Sequence, residues 1–442
     1  MSKRSRRKRL PEPVSGITIE SLSHDGRGVA HLDGKAVFID GALPGEVVSF
    51  EYRASRRRFD EGRVPAVEKA SPDRVQPRCP HFGLCGGCSL QHMEPAAQIR
   101  AKQQTLLDNL KHIGKVVPQA VLPALTGPVW EYRTKGRLGV KDVIRKGRVL
   151  VGFREKHSPY VADLAACEVL HPSIGKRIEE LAQLIGQLEA RARIPQIEVA
   201  VAGSITALVF RHLDTLTLGD RDRLKQYAME RGVHVYLQPA GPDSVQSLWP
   251  EQSVLSYQLP AESIDIQFKP TDFTQINTAI NEQMVARVLD LLALDSNDTV
   301  LDLFCGLGNF TLPMARHAGA VIGVEGDAGL VSRARDNAAL NGLENTTFHS
   351  ANLAEKNAAA WADTACNKVL LDPPRSGAAE VLEVLANMQP QRIVYVSCHP
   401  GSLARDAGTL VHEKGYRLLS AGVMDMFPHT AHVESIALFE AG

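Results

Sequence analysis

The second half of the chain alternates short apolar segments with helix-length ones, and this alternation constrains the fold more than any other feature. From about residue 278 the apolar segments are TVLDLF, AVIGVEG, NTTFHSA, KVLLDPP, RIVYVSC, YRLLSAGVMDMF and VESIALF. Stretches such as AGLVSRARDNAAL and AAEVLEVLANM lie between them. Strands that alternate with helices form βαβ units, so we predict a doubly wound α/β domain with a parallel sheet. The last two strands have no helix between them, which predicts an antiparallel edge.

The length and composition exclude several classes of protein. The chain has 442 residues, 44% of them hydrophobic and 23% charged. At roughly 150 residues per domain, this length predicts about three domains and excludes a collagenous, disordered or disulfide-stapled protein. No apolar run approaches the ~20 residues of a membrane-spanning helix, and the basic N-terminus lacks the apolar stretch of a secretory signal. Seven cysteines, an odd number, favour a reducing, cytoplasmic location.

Charge is distributed unevenly along the chain. Residues 1–250 carry 38 lysines and arginines against 27 aspartates and glutamates, whereas the remaining residues carry 12 against 23. A basic front half predicts contact with a polyanion such as a nucleic acid. A chance distribution of charge is the alternative interpretation.

The patterns divide the chain into four regions. We predict a solvated basic arm at 1–12, a small β-barrel of five short strands at 13–70, a mixed α+β domain at 71–270 and the doubly wound domain at 271–442. The stretch RASRRRF at 53–59 suits contacts with phosphates and bases, although a solvated strand end would look the same. In the α+β domain, residues 173–194 predict one amphipathic helix, with an apolar stripe of Ile174, Ile178, Leu181, Ile185 and Leu188.

Three strand ends of the last domain carry residues suited to a cofactor. The first strand ends near Asp302 and turns through Gly306 and Gly308, which allow a ligand close to the backbone. The second ends at Glu325, where a carboxylate can accept hydrogen bonds from ribose hydroxyls. The loop lacks the third glycine of a dinucleotide motif, so it fits S-adenosylmethionine better than NAD. The third strand ends in DPPRSG, where Arg375 replaces the aromatic residue that amino-group methyltransferases use.

The next strand delivers Cys398 to the same edge of the sheet, where a helix begins. Such a position can lower the pKa of a cysteine below its free value of about 8.5. A buried, inert cysteine is the alternative, but the neighbouring cofactor crevice favours a nucleophile. The last strand opens at Glu434, and a thiolate beside a carboxylate is the pair that methylation of uracil C5 requires. The thiolate adds to C6 and makes C5 nucleophilic, and the carboxylate later removes the C5 proton.

These motifs jointly resemble the RNA uracil-C5 methyltransferase family. They are FTQIN at 273–277, DLFCGLGNF at 302–310, DPPRSG at 372–377, VSCHPGSLARD at 396–406 and DMFPHTAHVES at 425–435. The resemblance implies that the chain contacts S-adenosylmethionine through Gln275, Phe304, Asn309, Glu325, Asn352 and Asp372. It also implies Cys398 as the nucleophile and Glu434 as the base that removes the C5 proton.

The front half carries a barrel and a cysteine set. Residues 16–68 resemble a TRAM domain, a small RNA-binding barrel. Cys79, Cys85 and Cys88 form a C-x5-C-x2-C pattern, with Cys167 far along the chain. Four thiolates suit either zinc or a [4Fe–4S] cluster, and three close ligands plus a distant one favour iron–sulfur. The family resemblance implies a [4Fe–4S] cluster held by these four residues.

The combination of barrel and cysteines also bears on the substrate. It resembles the branch of the family that methylates a uridine of 23S ribosomal RNA, since the tRNA-directed branch usually lacks both features. His399 and the long basic arm are variations from the family pattern that touch no catalytic position. Two alternatives stay open. The protein could carry out the same methylation on tRNA, or it could be a non-catalytic RNA-binding iron–sulfur protein. No membrane or protein partner is predicted.

Overall fold

The computed structural model describes residues 10–353, 361 and 364–442. Residues 1–9 of the predicted basic arm therefore lie outside the described residues. The chain forms two compact units: the first extends to Lys102 and includes Pro428–His432, and the second comprises Gln103–Phe427 and Val433–Gly442. Within the described ranges, no helix is both long and apolar enough to cross a membrane.

The first unit contains a six-stranded sheet with its own apolar core. Its strands are β1 (Val14–Thr18), β2 (Ser21–Leu22), β3 (Gly28–Leu32), β4 (Lys35–Asp40), β5 (Val47–Ser55) and β6 (Phe59–Lys69), in the spatial order β1-β5-β6-β4-β3-β2. Val37, Ile39, Val48 and Phe50 are fully buried between them. Strands β1 and β2 are separate, because Ile19 N–H donates to the carbonyl of Glu46 (2.9 Å) whereas Glu20 N–H donates to the carbonyl of Val29 (2.8 Å).

The second unit contains a central sheet. Helix α1 (Pro95–Asn109) leads into this unit and is followed by the short strand β7 (Ala120–Val121). The central strands are β8 (Lys135–Val143), β9 (Arg148–Gly152), β10 (Gln196–Ala202), β11 (Ile205–Arg211), β12 (His234–Gln238) and β13 (Gln246–Trp249), in the spatial order β13-β12-β11-β10-β8-β9. The helices of this region are α2 (Pro172–Gly175), α3 (Ile178–Gly186) and α4 (Leu218–Arg231).

The prediction of one continuous helix over 173–194 is wrong. The predicted apolar stripe is buried, with Ile178, Leu181 and Ile185 fully enclosed, but the helix is interrupted after Gly175. The carbonyl of Gly175 accepts a hydrogen bond from Cys167 N–H (2.8 Å), so this carbonyl is engaged outside the helix. A Cβ at position 175 would lie 2.4 Å from the carbonyl oxygen of Cys167, so glycine permits this approach. A contact with a residue outside the predicted helix thus accompanies the break in the segment.

The second unit continues with a hairpin and the predicted doubly wound domain. The hairpin is β14 (Leu255–Leu259) and β15 (Ile264–Phe268). The strands of the large sheet are β16 (Thr299–Leu303), β17 (Ala320–Glu325), β18 (Thr346–Ser350), β19 (Lys368–Leu371), β20 (Arg392–Ser397), β21 (Tyr416–Met424) and β22 (Glu434–Ala441). Its helices are α5 (Thr278–Leu292), α6 (Thr311–Ala315), α7 (Ala328–Leu340), α8 (Ala379–Met388) and α9 (Pro400–His412).

The topology confirms the doubly wound fold and the antiparallel pairing of the last two strands. The spatial order is β18-β17-β16-β19-β20-β22-β21-β7, and β16 to β20 are mutually parallel. The order reverses between β16 and β19, where such sheets bind ligands. Within this pair, β22 lies between β20 and β21 and is antiparallel to both. β7 extends the sheet beyond β21, because Leu122 N–H and Leu125 N–H bond to carbonyls of Ala421 and Val423.

Candidate active site

Six of the residues predicted from sequence lie along one edge of the large sheet. Strands β16 to β20 run parallel, so their carboxyl ends share this edge, and the antiparallel β22 begins there. In spatial order along the edge the six are Asn352, Glu325, Phe304, Asp372, Cys398 and Glu434. The structure therefore brings these six strand-end positions to the edge at which ligands bind in this type of sheet.

Cys398 and Glu434 lie on neighbouring strands. Ser397, the last residue of β20, is the register partner of Ser435 on β22. Cys398 directly follows Ser397 and Glu434 directly precedes Ser435, so both residues lie one position closer to the ligand-binding edge than this pair. Both side chains are half-buried.

The pKa of Cys398 is raised to about 11, whereas a helix N-terminus is expected to lower it. Burial is the largest cause, because it disfavours the charged thiolate. The carboxylates of Glu434 and Asp372 raise the pKa further, and the Arg375 guanidinium opposes them. In the protein without ligands, Cys398 is thus a thiol with a cation and two carboxylates close enough to affect it.

The loop after β16 is held by Glu325. Phe304 has a φ of +69°, and its N–H donates to Val324 (2.8 Å). Glu325 Oε2 accepts from Gly306 N–H (3.1 Å), and Oε1 accepts from Asp327 N–H (3.1 Å). The predicted ribose-binding carboxylate therefore also ties the glycine loop to the start of α7.

Two aspartates beside this loop have strongly raised pKa values. Asp302 is fully buried, and its Oδ2 lies 2.5 Å from the Thr311 hydroxyl. Its Oδ1 has no hydrogen-bond partner among the described residues. The pKa of Asp302 is raised to about 8, mainly by burial and in addition by the nearby charges of Asp372 and Glu325. Burial also raises the pKa of Asp372 to about 7. The crevice is therefore acidic and contains carboxyl groups that a cationic ligand would stabilise in their charged form.

Two residues that sequence reasoning did not identify hold Asn309. Its Oδ1 accepts from the Tyr257 hydroxyl (2.9 Å) and from Asn281 Nδ2 (2.9 Å), and its Nδ2 donates to Asn281 Oδ1 (2.9 Å). Asn281 lies on α5 just after the FTQIN motif, and this position beside a cofactor motif could have identified it from the sequence. Tyr257 is on the hairpin strand β14, and no pattern in the sequence marks it. Gln275 is half-buried in the segment that precedes α5.

The four predicted cluster ligands are divided between the two units of the chain. Cys79, Cys85 and Cys88 lie in an irregular loop of the first unit, and Cys167 lies in the second; all four are half-buried. Gly87 N–H donates to Cys85 Sγ (3.4 Å). Over the ranges that the structure describes, no three His, Cys, Asp or Glu side chains form a group that could hold a metal ion. The iron–sulfur site therefore stays a prediction.

Backbone hydrogen bonds connect the segment of Cys167 to the FTQIN motif. Residues 168–170 form a ladder with residues 131–133, through Glu131 N–H to Glu168 (2.9 Å) and Arg133 N–H to Val169 (2.9 Å). The next residue, Thr134, donates both its N–H (2.9 Å) and its hydroxyl (3.0 Å) to the carbonyl of Ile276. Ile276 directly follows Gln275, so one short ladder reaches from the fourth cysteine to the cofactor motif.

Comparisons with known proteins agree with this architecture. Residues 14–64 match the model of the TRAM domain. The chain resembles the crystal structure of the Pyrococcus abyssi tRNA (uracil-54, C5)-methyltransferase in complex with S-adenosyl-L-homocysteine, with a TM-score of 0.75 and 22% identity. That similarity covers 96% of this chain and 99% of that one. At this identity the similarity supports the fold alone.

Full-length relatives share over half of the sequence. The "23S rRNA (uracil(1939)-C(5))-methyltransferase RlmD" of Xanthomonas axonopodis pv. citri is 54% identical over 98% of this chain and 99% of the relative. The protein of the same name from Methylococcus capsulatus is 54% identical over the whole of both chains. Residues 201–441 match the family model described as tRNA (Uracil-5-)-methyltransferase. On these matches, the chain belongs to the tRNA (uracil-5-)-methyltransferase family.

Proposed function

We propose that this protein methylates C5 of one uridine in 23S ribosomal RNA, with S-adenosylmethionine as methyl donor. The observation that carries the proposal is the placement of Cys398 and Glu434 on neighbouring strands at the ligand-binding edge. The choice of RNA is supported by the relatives of that activity, which are 54% identical over essentially the whole chain. Its setting would be the cytoplasm, where a disulfide-independent RNA-modifying enzyme can operate.

Cys398 acts first in this proposal. Its thiolate adds to C6 of the uracil, and the ring electrons then make C5 nucleophilic. The thiol must lose its proton before it attacks, and its raised pKa shows that burial opposes this step in the ligand-free protein. Arg375 acts in the opposite direction, because its positive charge favours the thiolate.

Glu434 acts last. Once C5 carries the methyl group, the carboxylate takes the C5 proton, the 5,6-double bond forms again and the Cys398 thiolate leaves C6. The carboxylate is close enough to Cys398 to affect its pKa, which supports its reach to the same ring.

The remaining strand-end residues would hold the cofactor, which supplies an electrophilic methyl group when bound. We assign this role to Gln275, Phe304, Asn309, Glu325, Asn352 and Asp372. The acidic crevice supports the assignment, because the unpartnered Asp302 Oδ1 and the raised pKa of Asp372 suit a positively charged ligand. The positive φ of Gly306 and Gly308 allows the loop to present its backbone to that ligand.

The first unit would bind the RNA. The TRAM match supports this role, and the hairpin between β5 and β6 exposes the three consecutive arginines Arg56, Arg57 and Arg58. Arginines at a hairpin tip suit contacts with phosphates, which hold a flexible loop in place while one base leaves its stack. In this proposal the chain divides into a basic arm at 1–12, the RNA-binding barrel at 13–70, an α+β domain at 71–270 and the methyltransferase domain at 271–442.

A [4Fe–4S] cluster on Cys79, Cys85, Cys88 and Cys167 completes the proposal. The Gly87 N–H bond to Cys85 Sγ is of the kind that stabilises a cluster thiolate, and all four cysteines are half-buried. The cluster would supply a rigid support for the loop of the first three cysteines.

Trapping the covalent adduct tests the reaction. RNA with 5-fluorouridine at the target should stay bound to Cys398, because fluorine cannot leave C5 as a proton does. We expect an adduct that survives denaturation with the wild type and none with Cys398→Ala. Cys366→Ala is the matched control, since Cys366 is a buried cysteine of the same domain. An adduct in Cys398→Ala would contradict the mechanism.

Mapping 5-methyluridine by mass spectrometry in a strain lacking the gene tests the substrate. We expect one 23S rRNA position to lose its methyl group and to regain it with the purified protein. Loss of a 5-methyluridine from tRNA instead would show that the substrate is tRNA and would contradict the proposed rRNA substrate.

Metal analysis tests the cluster. Protein purified without oxygen should contain iron and acid-labile sulfide and absorb visible light, and Cys85→Ser should lose most of each. Cys366→Ser should retain them. Stoichiometric zinc in place of iron, or full iron content in Cys85→Ser, would overturn this part of the proposal.

A further inference from the structure

The loop after β19 ends in a tight turn that carries Arg375. Gly377 N–H donates to the carbonyl of Pro374 (2.9 Å), which closes residues 374–377 into what we name the PRSG turn. Gly377 has a φ of +89°, a conformation that favours glycine. Helix α8 begins just beyond the turn, at Ala379. Arg375 is the second residue of this turn, so the position of the turn determines where the guanidinium can reach.

A buried carboxylate on α9, that of Asp406, binds the end of this turn. Asp406 is 1% exposed. Its Oδ2 accepts from Ala378 N–H (2.8 Å), directly after the turn, and from the hydroxyl of the fully buried Tyr395 on β20 (2.7 Å). Its Oδ1 accepts from Arg405 Nε (2.8 Å). One carboxylate therefore joins the end of the PRSG turn to β20 and α9, the two elements on either side of Cys398.

Arg405 makes a second connection to the turn. Its Nη2 donates to the carbonyl of Ser376 (2.9 Å) and lies 2.7 Å from Asp406 Oδ1. A Cβ on Gly377 would lie 2.5 Å from both Arg405 Nη2 and Asp406 Oδ2, so the turn packs directly on these two side chains. Hydrogen bonds between charged groups are stronger than neutral ones. We name Asp406, Arg405 and Tyr395 together the Asp406 clasp.

The clasp connects the turn to the segment that carries the nucleophile. Tyr395 lies three residues before Cys398, and Asp406 lies eight residues after it. Strands β19 and β20 are parallel neighbours, so the loop after β19 and Cys398 after β20 lie at the same edge of the sheet. His399 is engaged with the helix instead, because its Nδ1 accepts from Ser402 N–H (3.1 Å).

Charged groups from two other segments face the Cys398 thiol. Glu434 on β22 and Asp372 after β19 disfavour the thiolate, whereas Arg375 on the PRSG turn favours it. Asp372 has its own attachment to the sheet, since its N–H donates to the carbonyl of Leu303 on β16 (3.3 Å). Loss of the clasp would therefore displace the cation and leave the two carboxylates in place.

From this arrangement we infer that Asp406 is a positioning residue for Arg375 and, through Arg375, for the activation of Cys398. Its role is indirect: the carboxylate fixes the PRSG turn, and the turn presents the guanidinium to the thiol. This inference rests on the proposed function, because the thiol in question is the proposed nucleophile. It assigns to a buried acidic residue in the interior of the domain an effect on the charge state of one sulfur.

A purely structural role for Asp406 would give a different result. The carboxylate also binds the N–H of Ala378 just before α8, so its removal could loosen the domain and change access to Cys398. Such an effect would be the same whether or not residue 375 carries a charge. An effect that acts through the guanidinium must instead disappear when the guanidinium is absent.

Alkylation of Cys398 tests the inference in the full-length protein without RNA or cofactor. Iodoacetamide reacts with the thiolate, which displaces iodide, so the rate of labelling at a given pH reports the fraction of thiolate. Mass spectrometry of the peptide that contains residue 398 measures this rate separately from that of the other cysteines.

Two variants remove parts of the clasp, and one serves as the control. Asp406→Asn retains the size but replaces one accepting oxygen by an NH2 group. Arg405→Met removes the bond to Ser376 from a side chain that is half exposed. Glu383→Gln is the control, because it removes a different ion pair, between α8 and Lys414 just after α9 (2.8 Å).

We expect Asp406→Asn and Arg405→Met to be labelled roughly 3- to 10-fold more slowly than the wild type between pH 7 and 9, because a displaced cation no longer favours the thiolate. In Arg375→Ala protein, adding Asp406→Asn should cause no further slowing, since the cation that Asp406 positions is already absent. Glu383→Gln should be labelled at the wild-type rate.

Two results would overturn the inference. One is wild-type labelling in both clasp variants, and the other is equal slowing by Asp406→Asn with and without Arg375. If Asp406→Asn does not fold, Arg405→Met alone and combined with Arg375→Ala gives the same comparison. Either result leaves the proposed function intact, because labelling needs no RNA. The proposed function would fail separately, if the wild type formed no adduct with 5-fluorouridine RNA.

Discussion

Ser397 at the end of β20 lies directly opposite Ser435 on β22, and this pairing places Cys398 and Glu434 side by side at the edge of the sheet. The nucleophile and the base therefore depend on the register of one antiparallel strand pair. A shift of one residue would turn the side chains of β22 to the opposite face.

The first prediction concerns Glu434. Glu434→Gln should accumulate a covalent methylated adduct with ordinary uridine RNA, because the amide cannot accept the C5 proton and the thiolate cannot leave. Turnover should fall by roughly 100-fold or more, in line with the loss of a general base. Denaturing gels of the reaction reveal the adduct. Glu440→Gln, at the far end of the same strand, should turn over normally, and an adduct-free Glu434→Gln would contradict the assignment.

The second prediction concerns pH. Because the pKa of Cys398 is raised to about 11, the thiolate fraction at neutral pH is small and grows about tenfold for each pH unit. The second-order rate constant for adduct formation should therefore rise with pH between about 6 and 9. Arg375→Ala removes the cation that favours the thiolate, so this variant should be slower at every pH in that range. Arg417→Ala, which removes an exposed cation paired with Glu440 on β22, is the control. A rate independent of pH would show that Cys398 is already ionised in the free protein.

The third prediction concerns stability. The folded protein holds a proton on Asp302 up to a pH of about 8, whereas an unfolded aspartate loses it near 3.8. Between these values the native state binds more protons, so its free energy of unfolding falls as pH rises, by at most about 1.4 kcal/mol per pH unit for this group. Asp302→Asn cannot ionise and should flatten that decline. Urea unfolding from pH 5 to 8 measures it, and parallel curves for the two proteins would contradict the raised pKa.

The fourth prediction concerns RNA binding. Replacing Arg56, Arg57 and Arg58 by alanine should weaken binding to 23S rRNA fragments and make it less dependent on salt. Each lost phosphate contact reduces the slope of log K against log salt by about 0.7 to 0.9. The control removes three cations from α4, Arg221, Arg223 and Lys225, and should leave the slope unchanged. An unaltered slope in the hairpin variant would exclude the hairpin as a phosphate contact.

Local patterns in the sequence were sufficient for the doubly wound domain. The apolar runs from residue 299 to 439 correspond to β16–β22, and AGLVSRARDNAAL is α7 residue for residue. Strand and helix periodicity are short-range properties, and parallel strands place their carboxyl ends together. For that reason the sequence alone located the edge that carries Glu325, Asp372 and Cys398.

The features that the sequence could not supply arise from contacts between residues far apart in the chain. Burial and two carboxylates from other strands raise the pKa of Cys398, although its place before α9 suggests the opposite direction. Tyr257 bonds to Asn309 across 52 positions. Gln98 bonds to His429 across 331 positions. Periodicity reports which face of a segment is apolar, but only the folded chain decides which groups meet and how much water remains around them.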